Sequence, residues 1–214
     1  MNIFPLVRPC LAGLAVVAFT HMVVVEPCRA QTGTASYARE PVSLPDMALG
    51  PRGAPVTIVE YSSMTCSHCA NFEQNEFPQL KAKYIDTGRV RFIFRELPLD
   101  TVAAGASMLA RCAASGDPGR YFHTVDQLFR QQPQLIEKPT ATLTSVGRQN
   151  GMTDQQTEAC LSDQQLLDHL RTDEKIAVDI VKIKAAPTFF INDQMYTGTM
   201  PFESMDRIIA PMLP

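Results

Sequence analysis

The stretch VTIVEYSSMTCSHCANF, residues 56–72, holds a strand, a turn and a helix start in one short span. Val56-Thr57-Ile58-Val59-Glu60-Tyr61 follows Pro55 and is rich in β-branched residues, which suits a buried strand; Glu60 alone interrupts the apolar run. From Cys66 to about Ile85 the residues Phe72, Phe77, Leu80 and Tyr84 give an apolar helical pattern, which Pro78 should kink. Gly88 ends that helix, and Val90 to Phe94 reads as a second strand.

Further along, Thr101 to Ile183 is helical in character, with breaks at 116–119, Pro133, Pro139 and Gly151. Four or five helices are expected there, near 101–115, 119–131, 140–150, 153–161 and 164–182. Thr153 followed by Gln156 matches a capping box. After Pro187, Thr188-Phe189-Phe190-Ile191 reads as a strand, Asn192-Asp193 as a two-residue turn, and Gln194 to Tyr196 as its hairpin partner. Phe202 to Met212 makes a last amphipathic helix. Before the opening strand, residues 31–55 read as a flexible lead-in with one short strand near Val42–Leu44. The order β-α-β, helices, β-β-α predicts one α/β sheet with helices on both faces. Its halves are residues 56–100 and 184–214, and residues 101–183 form a helical insertion.

Composition narrows the function classes. Hydrophobic residues at 45% and charged residues at 19% suit a globular chain with a core. A net charge of −3 lacks the basic footprint of a nucleic-acid binder. The apolar run from Pro9 to Val25 is too short and too solitary for a polytopic membrane protein. Met1 to Arg8, the apolar run and Cys28-Arg29-Ala30 together have the layout of a secretory signal, cleaved after Ala30. An uncleaved anchor is the alternative, and a lipoprotein reading of Cys28 is disfavoured by Glu26-Pro27 just before it. Cleavage removes Arg8, Arg29 and Glu26, taking the net charge from −3 to −4. It also removes Cys10 and Cys28, leaving Cys66, Cys69, Cys112 and Cys160 in an exported, oxidising setting that favours disulfides.

Cys66-Ser67-His68-Cys69 falls at the strand-to-helix junction. Unpaired N–H groups and the helix dipole at a helix start stabilise a thiolate, so Cys66 is the reactive cysteine, and His68 adds a donor or positive charge beside it. Cys69, three residues on, is placed to resolve a mixed disulfide. A zinc site needs two further ligands, whereas Cys112, Cys160, His123 and His169 are scattered singly; no metal is expected. A charge at Glu60, six residues before Cys66 in an apolar strand, is costly unless paired or protonated, the alternative being an outward-facing edge position. Met64 either lines a soft groove for unfolded chains or packs in the core. Arg95-Glu96 is most simply a solvated pair at a strand end.

Residues 56–72, the RFIFRELPL segment, the helical insertion and AAPTFFI followed by Gly198 resemble the DsbA-type thioredoxin-fold proteins, exported thiol-disulfide oxidoreductases of bacteria. The resemblance implies a thioredoxin fold with an inserted helical cap. It makes Pro187 a cis-proline facing the cysteines, with the Ala186 backbone free to pair with an extended client. It assigns Glu60 to proton exchange with Cys69. Some such proteins carry a second disulfide in the insertion, here Cys112–Cys160; the alternative is two separate thiols. The implied activity is donation of the Cys66–Cys69 disulfide to reduced exported proteins in the periplasm, by a monomer needing no cofactor beyond that disulfide. A DsbB-like, quinone-linked membrane oxidase would restore it. Ser67-His68 replaces the Pro-His of the best-known members, and Ala186 stands where many relatives have Val or Thr. A reductase or isomerase on the same fold, and a Cu(I) carrier using Cys66, Cys69 and His68, are the competing functions.

Overall fold

A computed structural model describes residues 42–214. The signal segment, its cleavage after Ala30, Cys10 and Cys28 lie outside the described residues. A five-stranded sheet runs in the order β1-β3-β2-β4-β5, with β1 at Met47–Leu49, β2 at Val56–Ser62, β3 at Val90–Glu96, β4 at Thr188–Ile191 and β5 at Gln194–Thr197. β2 and β3 are parallel; the other neighbours are antiparallel. Residues 67–85 cross between the parallel pair as a continuous helical segment.

The period-2 alternation of β2 builds two cores. Val56 and Ile58 pack with Cys69, Phe72, Phe77, Phe92 and Phe94 on one face. Val59, Tyr61 and Ile93 pack with Ala177, Val181 and Ile183 on the other. The first core is strongly aromatic: Phe77 lies 4.8 Å from Phe92 and Phe72 lies 4.7 Å from Phe189, centroid to centroid.

Between β3 and β4 stand six α-helices, at Thr101–Ala114, Pro118–Arg130, Gln132–Glu137, Pro139–Gln149, Asp154–Leu161 and Gln164–Lys175. Side chains cap four of their starts: Asp100 accepts from the Ala103 N–H at 2.8 Å, and the Thr153–Gln156 capping box forms in both directions. The Cys112–Cys160 disulfide is formed and ties the first of these helices to the fifth.

The structure adds to or corrects the sequence reading at several places. The short first strand is Met47–Leu49, because its register is set by Phe92–Phe94 of β3; Ser43 and Leu44 instead donate backbone N–H groups to Asp173. The helix expected to kink at Pro78 runs on through it to Ile85. The proline sits in the first turn of Phe77–Leu80, where its missing N–H is harmless, and π-helical turns at Phe72–Glu76 and Lys81–Ile85 flank it. Pro133, read as a break, lies in the first turn of the additional helix Gln132–Glu137. Arg95 and Glu96 are neither solvated nor paired with each other, each being 6% exposed. Arg95 bonds Asp46 at 2.9 Å and Tyr61 at 2.8 Å, whereas Glu96 accepts both arms of Arg111 at 2.6 Å and the Tyr121 hydroxyl at 2.7 Å.

Candidate active site

β2 ends under the first turn of the crossing helix, and this junction positions the cysteines. Cys66 is the N-cap of Ser67–Asn71, and its Sγ accepts from the Cys69 N–H at 3.4 Å. A thiolate therefore replaces the usual capping oxygen against the positive end of the helix. Cys66 is half-buried and Cys69 fully buried, and both are free thiols.

This difference in burial splits their acidities. The Cys66 thiol falls from 9.0 to about 6. The hydrogen bond from the Cys69 thiol is the main cause; partial burial opposes it, and the N–H groups of Cys69 and His68 and the His68 charge reinforce it. Cys69 moves the other way. Burial pushes it up, and the neighbouring Cys66 thiolate and the Glu60 charge push in the same direction. One sulfur is a nucleophile at neutral pH, and its partner holds its proton.

Beneath them Glu60 is 1% exposed, and neither of its carboxylate oxygens has a hydrogen-bond partner. The outward edge-strand alternative is excluded, because β2 is flanked by β3 and β4 and Glu60 opposes Phe94 and Phe189. Burial raises its pKa to about 8, with the charge at Cys66 adding to the rise and Ser62 opposing it. The Ala186–Pro187 peptide is cis, and in its thiol form Cys66 Sγ donates to the Ala186 carbonyl at 3.4 Å. His68 is exposed beside the pair.

Cys66, Cys69, His68, Glu60, Ala186 and Pro187 thus converge from two ends of the chain. Met64 does not line a groove. Its side chain is 1% exposed and belongs to the core, so only its backbone carbonyl serves the site. That carbonyl and the one of Cys66 accept from Gln132 Nε2 at 2.9 and 3.1 Å. Thr65, next to Cys66, donates to Asp100 Oδ2 at 2.7 Å. Gln132 and Asp100 hold the active loop from the helical insertion, and nothing in the residue pattern around them announces it. The Cys112–Cys160 pair lies elsewhere, packed with Met108 and Leu170.

The thioredoxin family model matches residues 43–210, which span the sheet, the cysteine turn and the inserted helices. The chain belongs to the thioredoxin family. Within it the DsbA type is the match: the crystal structure of Wolbachia pipientis alpha-DsbA1 superposes with a TM-score of 0.74 at 28% identity, covering 80% of this chain and 92% of that one. A Rickettsia bellii protein provisionally named a protein-disulfide oxidoreductase is 34% identical over 149 residues, which is 69% of this chain and 57% of that one. Disulfide bond formation protein D of Bacillus subtilis is 22% identical, with 86% and 85% coverage. The chain spans 57 to 60% of the length of the first Rickettsia relatives it matches. As in the DsbA-type members, helices interrupt the thioredoxin sheet here between β3 and β4.

Proposed function

We propose that this protein is a protein-disulfide oxidoreductase that donates its Cys66–Cys69 disulfide to reduced exported proteins through a mixed disulfide at Cys66. The observation that carries this reading is the asymmetry of the thiols: Cys66 half-exposed with a pKa of about 6, Cys69 buried and raised. In the oxidised state a client thiolate attacks Cys66 Sγ. The Cys66–Cys69 bond breaks, its electron pair goes to the Cys69 sulfur, and that sulfur takes up a proton, for which Glu60 is the nearest buried acid. A second client thiolate attacks the client sulfur of the mixed disulfide and expels Cys66 as thiolate. The client loses two electrons and the Cys66–Cys69 pair gains them. A low-pKa thiol leaves readily and stabilises the reduced enzyme, which makes the disulfide oxidising.

An extended client segment pairs with the Ala186 backbone, with Pro187 and His68 flanking the reacting sulfurs. The exchange needs no cofactor beyond the disulfide, and a monomer suffices. The reading includes export by residues 1–30, work in the periplasm, and reoxidation by a DsbB-like, quinone-linked membrane protein. The signal layout of residues 1–30 and the family's usual setting support these parts.

The test is the equilibrium of the Cys66–Cys69 pair against glutathione buffers, read by alkylation mass shift because the chain has no tryptophan. A potential near about −120 mV is the expected result. A value near about −270 mV would overturn the donor role and make the protein a reductase.

A further inference from the structure

The crossing helix, β1 and the helix Pro118–Arg130 enclose a cavity of about 470 Å³, and none of the cysteine-site residues lines it. A cavity of that volume is large enough for a small molecule. Its walls are apolar: Leu49, Pro78 and the near-parallel rings of Phe77 and Phe122, whose centroids lie 6.2 Å apart. Its charged lining is Glu73, Lys81, Asp126 and Arg130, with His123 beside them.

These charges are not equivalent. Lys81 bonds Asp86 at 2.6 Å, and Arg130 bonds Asp126 at 2.8 Å. Glu73 is left over. It is 3% exposed, against 41% and 61% for the side chains of Lys81 and Arg130, so it sits at the bottom of the cavity and they form its rim. Its Oε2 is buried and has no hydrogen-bond partner among the described residues. An unpartnered buried carboxyl is costly as a packing group. With both rim pairs neutral, an ionised Glu73 gives the cavity one uncompensated negative charge, which a single cation matches.

We propose that this cavity binds a small organic monocation, a primary ammonium on a compact apolar body. The ammonium pairs with Glu73, and the hydrocarbon lies against Phe77 and Phe122. Burial first, then the charges of Glu60 and Asp126, raise Glu73 well above the ordinary carboxyl range, with Arg130 opposing. The ligand's charge reverses that balance, so binding expels the Glu73 proton to water. The groups facing Glu73 are Glu60 from β2, Asp126, Arg130 and His123 from Pro118–Arg130, and Lys81 from its own segment. Tyr121 of Pro118–Arg130 also feels Glu73 but is bonded to Glu96. No sulfur takes part, so this site stands or falls separately from the thiol exchange.

The experiment titrates the protein with benzylamine, a monocation across pH 5–8, and with benzyl alcohol, its neutral counterpart, and follows backbone amide NMR shifts. Benzylamine is expected to move the amides of Phe77, Gly119 and Phe122 with a dissociation constant on the order of 1 mM, ordinary for a ligand of that size. At pH 7 it should bind about tenfold more tightly than benzyl alcohol. Its affinity should fall steadily from pH 7 to pH 5, as Glu73 keeps its proton. Glu73→Gln should lose about tenfold in affinity and the pH dependence with it, whereas His123→Asn should keep both. Shifts confined to another surface, or no saturable shift up to about 20 mM, would overturn the site. Equal binding of benzyl alcohol, or of benzylamine by Glu73→Gln, would overturn the pairing with Glu73. A pH dependence lost in His123→Asn and kept in Glu73→Gln would do the same. If Glu73→Gln does not fold, the wild-type pH profile and the benzyl alcohol comparison decide the matter alone.

Discussion

The sulfur of Cys66 stands 3.4 Å from the carbonyl oxygen of Ala186, a residue 120 positions further along the chain. The half-buried sulfur and the bend before β4 therefore meet, while Cys69 stays behind them at 0% exposure. Cys66→Ala is expected to abolish turnover of a reduced client. Cys69→Ala is expected to leave clients attached to Cys66, seen as higher-mass bands on non-reducing gels; normal turnover by that variant would contradict the roles given to the two sulfurs.

Acidity gives an independent check. With Cys66 at about 6, iodoacetamide modification of the native reduced protein should be about tenfold slower at pH 5 than at pH 7, and confined to Cys66. The folded value lies below the unfolded 9.0, so the reduced protein gains stability as pH rises from about 6 to 9 and loses it as pH falls through 6. Peptide mapping of the alkylated protein reports the first effect, and urea unfolding of the reduced protein the second.

Glu60 has the opposite sign. Its folded pKa of about 8 lies above the ordinary 4.5, so the unfolded chain ionises first and stability falls between those values. Glu60→Gln should therefore raise stability by roughly 3 kcal/mol at pH 7, with the gain vanishing below about pH 4.5. The same substitution should slow reduction of the disulfide. A variant more stable at pH 4 than at pH 7 relative to the parent would reverse this assignment.

The Cys112–Cys160 bond spans 48 positions within the helical insertion, away from the reacting pair. Closing a loop of that size stabilises by about 4 kcal/mol in the chain-entropy model. Replacing both cysteines with alanine should lower stability by roughly 2–4 kcal/mol and leave the Cys66–Cys69 equilibrium constant unchanged. Calorimetry and the glutathione titration read the two quantities separately, and a shifted equilibrium constant would make the second disulfide part of the redox chemistry.

Strands carried by local pattern were legible: β2, β3 and the β4–β5 hairpin fall where β-branched runs and the Asn192-Asp193 turn put them, with Asn192 at φ 51°. The placement of Cys66 and Cys69 at a helix start was legible from the strand-to-helix junction in the sequence. What escaped depends on partners distant in sequence. Arg95 and Glu96 look like a solvated strand end until Asp46, Arg111 and Tyr121 surround them. Met64 sits two residues before Cys66, yet the turn directs it inward. Gln132 reaches Met64 across 68 positions, and no local periodicity encodes that contact.

The placement of β4 bears on when the molecule becomes reactive. Thr57 and Asn192 are joined by a hydrogen bond across 135 positions, and β2 has no neighbour on that side until β4 arrives. Pairing at that separation closes late in folding, after the local helices. A chain that ends before residue 186 already holds Cys66 and Cys69 but lacks the carbonyl that faces them and the strand that covers Glu60. In such a chain β2 is an open sheet edge beside the two cysteines. An unfinished molecule thus carries both cysteines before the sheet that frames them is closed, and the last-made segment of the sheet completes the site.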